Sequence, residues 1–139
     1  MPKIKKASGK IQPPCTHCFE PAYLKVNFSY ASHIGSQLSN NYKEQIYDRL
    51  LFLSKDTFLT LSGMDKKLSF EYVPQKDLGM RREIPAPFIE RFPALSKGKI
   101  AIIRLYPNDN PILGRLIGMV IKNIFYVFYV DIGGVAYKH

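Results

Sequence analysis

The chain is short of acidic residues, of cysteine and of recognisable catalytic signatures, and each shortage closes off something. Eleven Asp and Glu stand against twenty Lys and Arg, a formal charge of +9. That balance favours a polyanionic partner, because contacts to phosphates release bound counterions. The two cysteines, Cys15 and Cys18 in PPCTHCFEP, are one pair where a structural zinc site takes four ligands, usually two such pairs. With His17 between them and His33 beyond, zinc is the minor reading, a site completed by a second chain included. A thioredoxin-like role wants the pair between a strand and a helix, whereas Phe19-Glu20-Pro21 follows here. No run of 18 apolar residues exists and the N-terminus lacks the apolar stretch of a signal peptide, so the expectation is a cytoplasmic protein with no membrane partner. The GxxxxGK[ST] loop, GxGxxG, HExxH, GxSxG and paired carboxylates for two metals are all missing, and neither a cofactor nor a metal is expected. There are no internal repeats.

What is present describes one packed domain. At 139 residues, 46% apolar and 13% aromatic, with nine Tyr, nine Phe and no Trp, the chain is long enough to bury a single core. Residues 1–20 carry a Pro-Pro pair and four lysines within the first ten positions without any acid, which reads as a basic arm. The domain proper spans 21–139. In AYLKVNFSYA, Leu24, Val26, Phe28 and Tyr30 alternate with more polar neighbours, the period of a strand with one wet face; 32–41 follows as a polar loop. Asn41 and Glu44 have the spacing of a capping box, and the apolar positions after them predict an amphipathic helix over 42–53. A second short helix is expected over 57–61, capped by Asp56 and stopped at Gly63. A short strand at 68–72 and one helical turn at 87–91 come next.

The clearest signal is the last third. KIAIIRLY, ILGRLIGMVI and IFYVFYVD read as three antiparallel strands, with the turn PNDNP between the first two and Lys122-Asn123 between the last two. The fold class is therefore α+β: two helices of the N-terminal half packed on an antiparallel sheet whose C-terminal part is a three-stranded meander. Pairing Ile121 with Ile124 sets Met119 against Tyr126, Ile117 against Phe128 and Arg115 against Val130, on the face expected under the helices.

Candidate chemistry concentrates in that meander. Arg104 and Arg115 interrupt apolar strands and flank one turn. Buried cations need a partner, so the pair suits a phosphate lying between two guanidinium groups; the competing reading gives them salt bridges to Asp109, Asp131 or Glu90, and a one-residue slip of register would send them to opposite faces. His139 and Lys138 end the chain after Gly133-Gly134, where a histidine has the right pKa range for proton transfer and a lysine can stabilise phosphate charge; the bland reading is a frayed terminus. Tyr126 and Tyr129, with Phe125 and Phe128, could stack on bases, although a strand apolar on both sides is better explained as core. Arg81 and Arg82 form a dibasic loop that either contacts phosphate or is simply solvated.

Arg115, Gly118, Asn123, Phe125, Tyr126 and Asp131 spell RxxGxxxxNxFYxxxxD, and this hairpin resembles the C-terminal signature of an uncharacterised bacterial and phage family, with YLKVNFSYA resembling its opening strand. The family's His directly after the Asp is replaced here by Gly133-Gly134. The order of helices followed by a basic antiparallel meander is also similar to RelE-like toxins, small metal-independent ribonucleases of toxin-antitoxin systems. That likeness implies RNA lying on the sheet, Arg104 and Arg115 holding the scissile phosphate, His139 or Tyr129 transferring a proton, and an antitoxin partner; Arg81, Arg82 and Lys138 are further phosphate-contact candidates by their own charge. The rival expectation is a non-enzymatic module that binds nucleic acid or docks on an acidic protein.

Overall fold

In the computed structural model, residues 22–78 and 83–137 are described. They form a mixed sheet with helices on both faces: β1 (Lys25–Asn27), β2 (Ser32–Gly35), α1 (Asn40–Ser54), α2 (Phe58–Ser62), β3 (Phe70–Val73), α3 (Ala86–Arg91), β4 (Ile100–Arg104), β5 (Gly114–Ile121) and β6 (Ile124–Ile132). The fold is α+β, as its pattern of elements predicts, and the helices precede the β4–β5–β6 meander.

The sheet order is β1-β6-β5-β4-β3, with β2 also on β6. The strands β3 through β6 pair antiparallel. β1 and β2 run parallel to β6, beside its first and second halves respectively, so the sheet is mixed rather than purely antiparallel. The single strand expected over 22–31 is split, because the chain turns at Phe28–Ala31, where the Ala31 N–H reaches the Phe28 carbonyl at 3.1 Å. The polar segment that follows opens as β2 instead of a loop; its polar residues are compatible with a strand because this is the sheet edge and Ser32, His33 and Gly35 are exposed.

The helices α1 and α2 start where hydroxyls can cap them. Ser39, not Asn41, caps α1, its side chain accepting from the Tyr42 N–H at 3.3 Å. Thr57, not Asp56, caps α2 by accepting from the Thr60 N–H at 3.1 Å. In both cases the hydroxyl satisfies one of the donors left free in a first helical turn.

A bulge in the last hairpin decides which side chains meet. Ile121, Met119 and Tyr126 pair as the alternation predicts, but the register shifts between Ile117 and Gly118, so that Ile117 faces Tyr129, Leu116 faces Val130 and Arg115 faces Asp131. Phe128 is the additional residue on β6, as in any two-against-one bulge. The cause is Gly118: a Cβ there would lie 1.8 Å from the Tyr126 carbonyl oxygen. Only a residue without a side chain lets β6 fold in that close.

Two cores result. Leu53 of α1 and Leu61 of α2 pack with Phe125, Val127, Val130, Leu116 and Ile103 on one face. Phe88 of α3 packs with Ile102, Ile117, Met119, Tyr126 and Phe128 on the other, with the Phe88 ring 4.8 Å from Phe128 and 5.5 Å from Tyr126. The α1 and α2 helices thus cover the face opposite to the one carrying Met119 and Tyr126, which corrects the expected assignment. The short α3, which reads in the sequence as a single turn, supplies the second cover.

Candidate nucleic-acid interface

Period two carries Ile100 and Ile102 to Arg104 on β4, and Met119 and Ile117 to Arg115 on β5. The two arginines therefore share a face and stand directly opposite one another. Like charges so placed repel, and something must lie between them. The protein supplies it: the turn after β4 brings Asp109, with φ 57, into a two-pronged contact in which Arg115 Nη1 donates to Oδ1 and Nη2 to Oδ2, the latter at 3.2 Å. Arg104 Nη1 lies 3.6 Å from the same carboxylate and donates to the Pro107 carbonyl at 2.8 Å. Arg115 is fully buried and Arg104 is 8% exposed, so in this conformation the pair is an internal charge row and not an open anion grip.

Asp131 stands opposite Arg115 on β6, yet its oxygens are spent elsewhere. They accept from the backbone N–H groups of Val135, Ala136 and Tyr137 at 2.8, 2.8 and 3.3 Å. Gly133 and Gly134, at φ 105 and 74, allow the chain to turn back under the sheet after β6, a conformation glycine adopts without strain. At the other end of this segment the Tyr137 hydroxyl donates to Glu71 Oε2 of β3 at 3.0 Å. Burial first, and then this bond to Glu71, push the Tyr137 phenol up to about 12. Glu71 is also 3.7 Å from the Lys66 ammonium.

The remaining candidates are dispersed. Tyr129 is half-buried and its hydroxyl donates to the Glu83 carbonyl. Phe125, Phe128 and Tyr126 are core residues, at most 4% exposed, which leaves no stacking platform on that strand. His33 is exposed and donates from Nε2 to the Ser36 carbonyl. Arg81, Arg82, Lys138, His139, and the Cys15, His17 and Cys18 group lie outside the described residues. Among the described residues no three His, Cys, Asp or Glu side chains are grouped to hold a metal ion, and no helix is long and apolar enough to cross a membrane.

Asn123 has a positional role: its side-chain amide donates to the Tyr23 carbonyl at 2.9 Å, and its own carbonyl accepts from the Lys25 N–H at 2.9 Å. It thereby ties the β5–β6 turn to β1. At that end of the sheet Lys25, Lys55 and Lys122 are exposed, beside Tyr23, which is 52% exposed, and a groove of about 800 Å³ bounded by Ala22, Phe58, Leu59 and Lys122. Lysines around an exposed aromatic ring are the ingredients of a sequence-tolerant nucleic-acid surface.

One functional-looking residue escapes the sequence reading. Arg49 lies on the apolar stripe of α1 with Ile46, Leu50 and Leu53, and is 6% exposed. It donates from Nε to the Arg104 carbonyl at 2.9 Å and from Nη2 to the Leu68 carbonyl at 2.7 Å, with Phe52 under its guanidinium. Burial holds its pKa below the ordinary arginine value. Its helical spacing with Ile46 and Leu53 is the signal that could have flagged it.

The chain matches no known family model, no curated protein and no solved structure.

Proposed function

We propose that the chain is a polyanion-binding module, with RNA as the partner class, that holds its ligand without cleaving it. The observation that carries this reading is where the charge goes. Arg104 and Arg115 have an internal carboxylate, whereas Lys25, Lys55 and Lys122 are exposed to solvent, as is Tyr23 two residues before Lys25. Exposed lysines contact a phosphate backbone without sequence preference, and an adjacent ring takes a base.

A second reading, a metal-independent RNA-cleaving toxin of a toxin-antitoxin or phage-related system, rests on one observation: the two arginines do share a face and stand directly opposite. It requires them to open to solvent, with Tyr129 or His139 moving the proton. A labelled oligoribonucleotide incubated with the protein separates the readings. Salt-sensitive binding with intact RNA, weakened by the double change Lys25→Glu and Lys122→Glu, supports the module. Product that disappears in Arg104→Gln supports cleavage. An acidic protein captured while RNA is ignored would refute both.

A further inference from the structure

Four buried polar atoms find no partner among the described residues: Ser69 Oγ, Glu71 Oε1, Arg104 Nε and Arg115 Nε. They are not scattered. Extending the β3–β4 register by one residue from the Phe70–Ile103 pair sets Ser69 beside Arg104, and Arg104 faces Arg115. Glu71 is the next residue of β3 on the same face. A row of buried, unpaired hydrogen-bonding groups is costly, and two of these are guanidinium N–H donors pointing from neighbouring strands.

The segment Gly133–Tyr137 is anchored on both sides of this row. Its backbone is held by Asp131 on β6 and its terminal hydroxyl by Glu71 on β3. In a sheet ordered β6-β5-β4-β3 the two anchors are three strand spacings apart, roughly 14 Å at about 4.8 Å each, and the Tyr137 side chain bridges the strands that carry Arg115 and Arg104. Ala136 and Tyr137 are buried, as is Arg115. Among the described residues the anchors are hydrogen bonds to Asp131 and Glu71, and the hinge is a pair of glycines.

We infer that Gly133–Tyr137 is a strap, and that lifting it exposes the Nε edges of Arg104 and Arg115 as a receptor for one phosphate group. The inference goes beyond the polyanion reading, since this second, regulated site is distinct from the exposed lysines that carry it. Asp109 keeps the Nη edge of Arg115 occupied, so the phosphate takes the two Nε–H donors. Asp131 then has two roles, since it holds the strap while closed and faces Arg115 as a competing anion once the strap is lifted. Glu71 and its ion-pair partner Lys66 border the same opening. The competition makes closed the resting state and leaves opening to a ligand able to displace a carboxylate.

The test uses the full chain, its Asp131→Asn and Tyr137→Phe variants, and each combined with Arg104→Gln. Nitrogen–proton spectra follow the arginine Nε–H signals during titration with inorganic phosphate, and hydrogen exchange follows the amides of Val135, Ala136 and Tyr137. The strap variants should exchange these amides faster and bind phosphate about tenfold more tightly than the unaltered chain, as expected when charge-assisted donors become available. Arg104→Gln should cancel the gain. Faster exchange with unmoved Nε–H signals overturns the inference, as do amides that stay protected in both variants or a gain that survives Arg104→Gln. Tyr137→Phe removes the hydroxyl bond to Glu71 and leaves the backbone contacts to Asp131 in place, so the test does not depend on the more disruptive Asp131 change. A parallel titration with labelled oligoribonucleotide keeps the two claims apart: phosphate bound by strap variants while RNA is ignored leaves the strap standing and refutes the RNA partner.

Discussion

Arg115 offers the sharpest test of the internal charge row, through a double-mutant cycle with Asp109. Breaking a buried ion pair by deleting one partner costs about 3–5 kcal/mol, because the other charge is left uncompensated. Two features of this site put the cost at the low end: the Asp109 side chain is 23% exposed and keeps Arg104 at 3.6 Å. Arg115→Met should therefore destabilise by about 3 kcal/mol, and Asp109→Asn, which leaves two facing buried guanidinium groups without their carboxylate, by about 4 kcal/mol. Once Arg115 is gone Asp109 has lost its two-pronged contact, so the double variant should cost about 4 kcal/mol, a coupling of about 3 kcal/mol. Urea unfolding measures this as a shift of midpoint at unchanged slope. Additive losses, or a more stable Arg115→Met protein, would refute the pairing.

Other consequences follow from particular contacts. Gly118→Ala puts a methyl 1.8 Å from the Tyr126 carbonyl oxygen, so the strands must part; overpacking against backbone should cost about 3 kcal/mol or more, read by urea unfolding. Arg49→Met leaves the buried Arg104 carbonyl and the partly buried Leu68 carbonyl without their donor and should cost about 2 kcal/mol, again from the unfolding midpoint. Tyr137 has its phenol raised from 10.0 to about 12 in the fold, so the folded state favours the neutral form. Its contribution is complete below about pH 10, the ordinary tyrosine value, and is lost as pH rises through about 12. Alkaline titration of stability should show this loss, and Tyr137→Phe should flatten it.

The parts of the fold legible in the sequence are those set by local chemistry. The β4–β6 meander follows from period-two apolar runs separated by Asx and Pro turns, and α1 from helical spacing between Ile46 and Leu53. The register beyond Gly118 was not legible, since nothing in IFYVFYVD announces that Phe128 is the additional residue; that depends on a cross-strand approach. The same slip moved Arg115 from Val130 to Asp131. The parallel edge escaped for a related reason, because β1 and β2 are three and four residues long and take their order from β6. For the candidate site, the neighbouring arginines and the choice of Asp109 among their acids were readable as alternatives. The strap was not, because a three-N–H contact to Asp131 is made by backbone groups that every sequence possesses.

The account is tested most directly by the affinity of the intact protein for a labelled oligoribonucleotide, measured by fluorescence anisotropy across a salt series with the RNA analysed for breaks afterwards. Contacts from Lys25, Lys55 and Lys122 to three phosphates of a single strand predict that log affinity falls linearly with log salt, with a slope of about −2, and that the RNA is recovered whole. Binding indifferent to salt, or no binding at all, would contradict the polyanion module; recovered fragments would contradict its lack of a cleavage step.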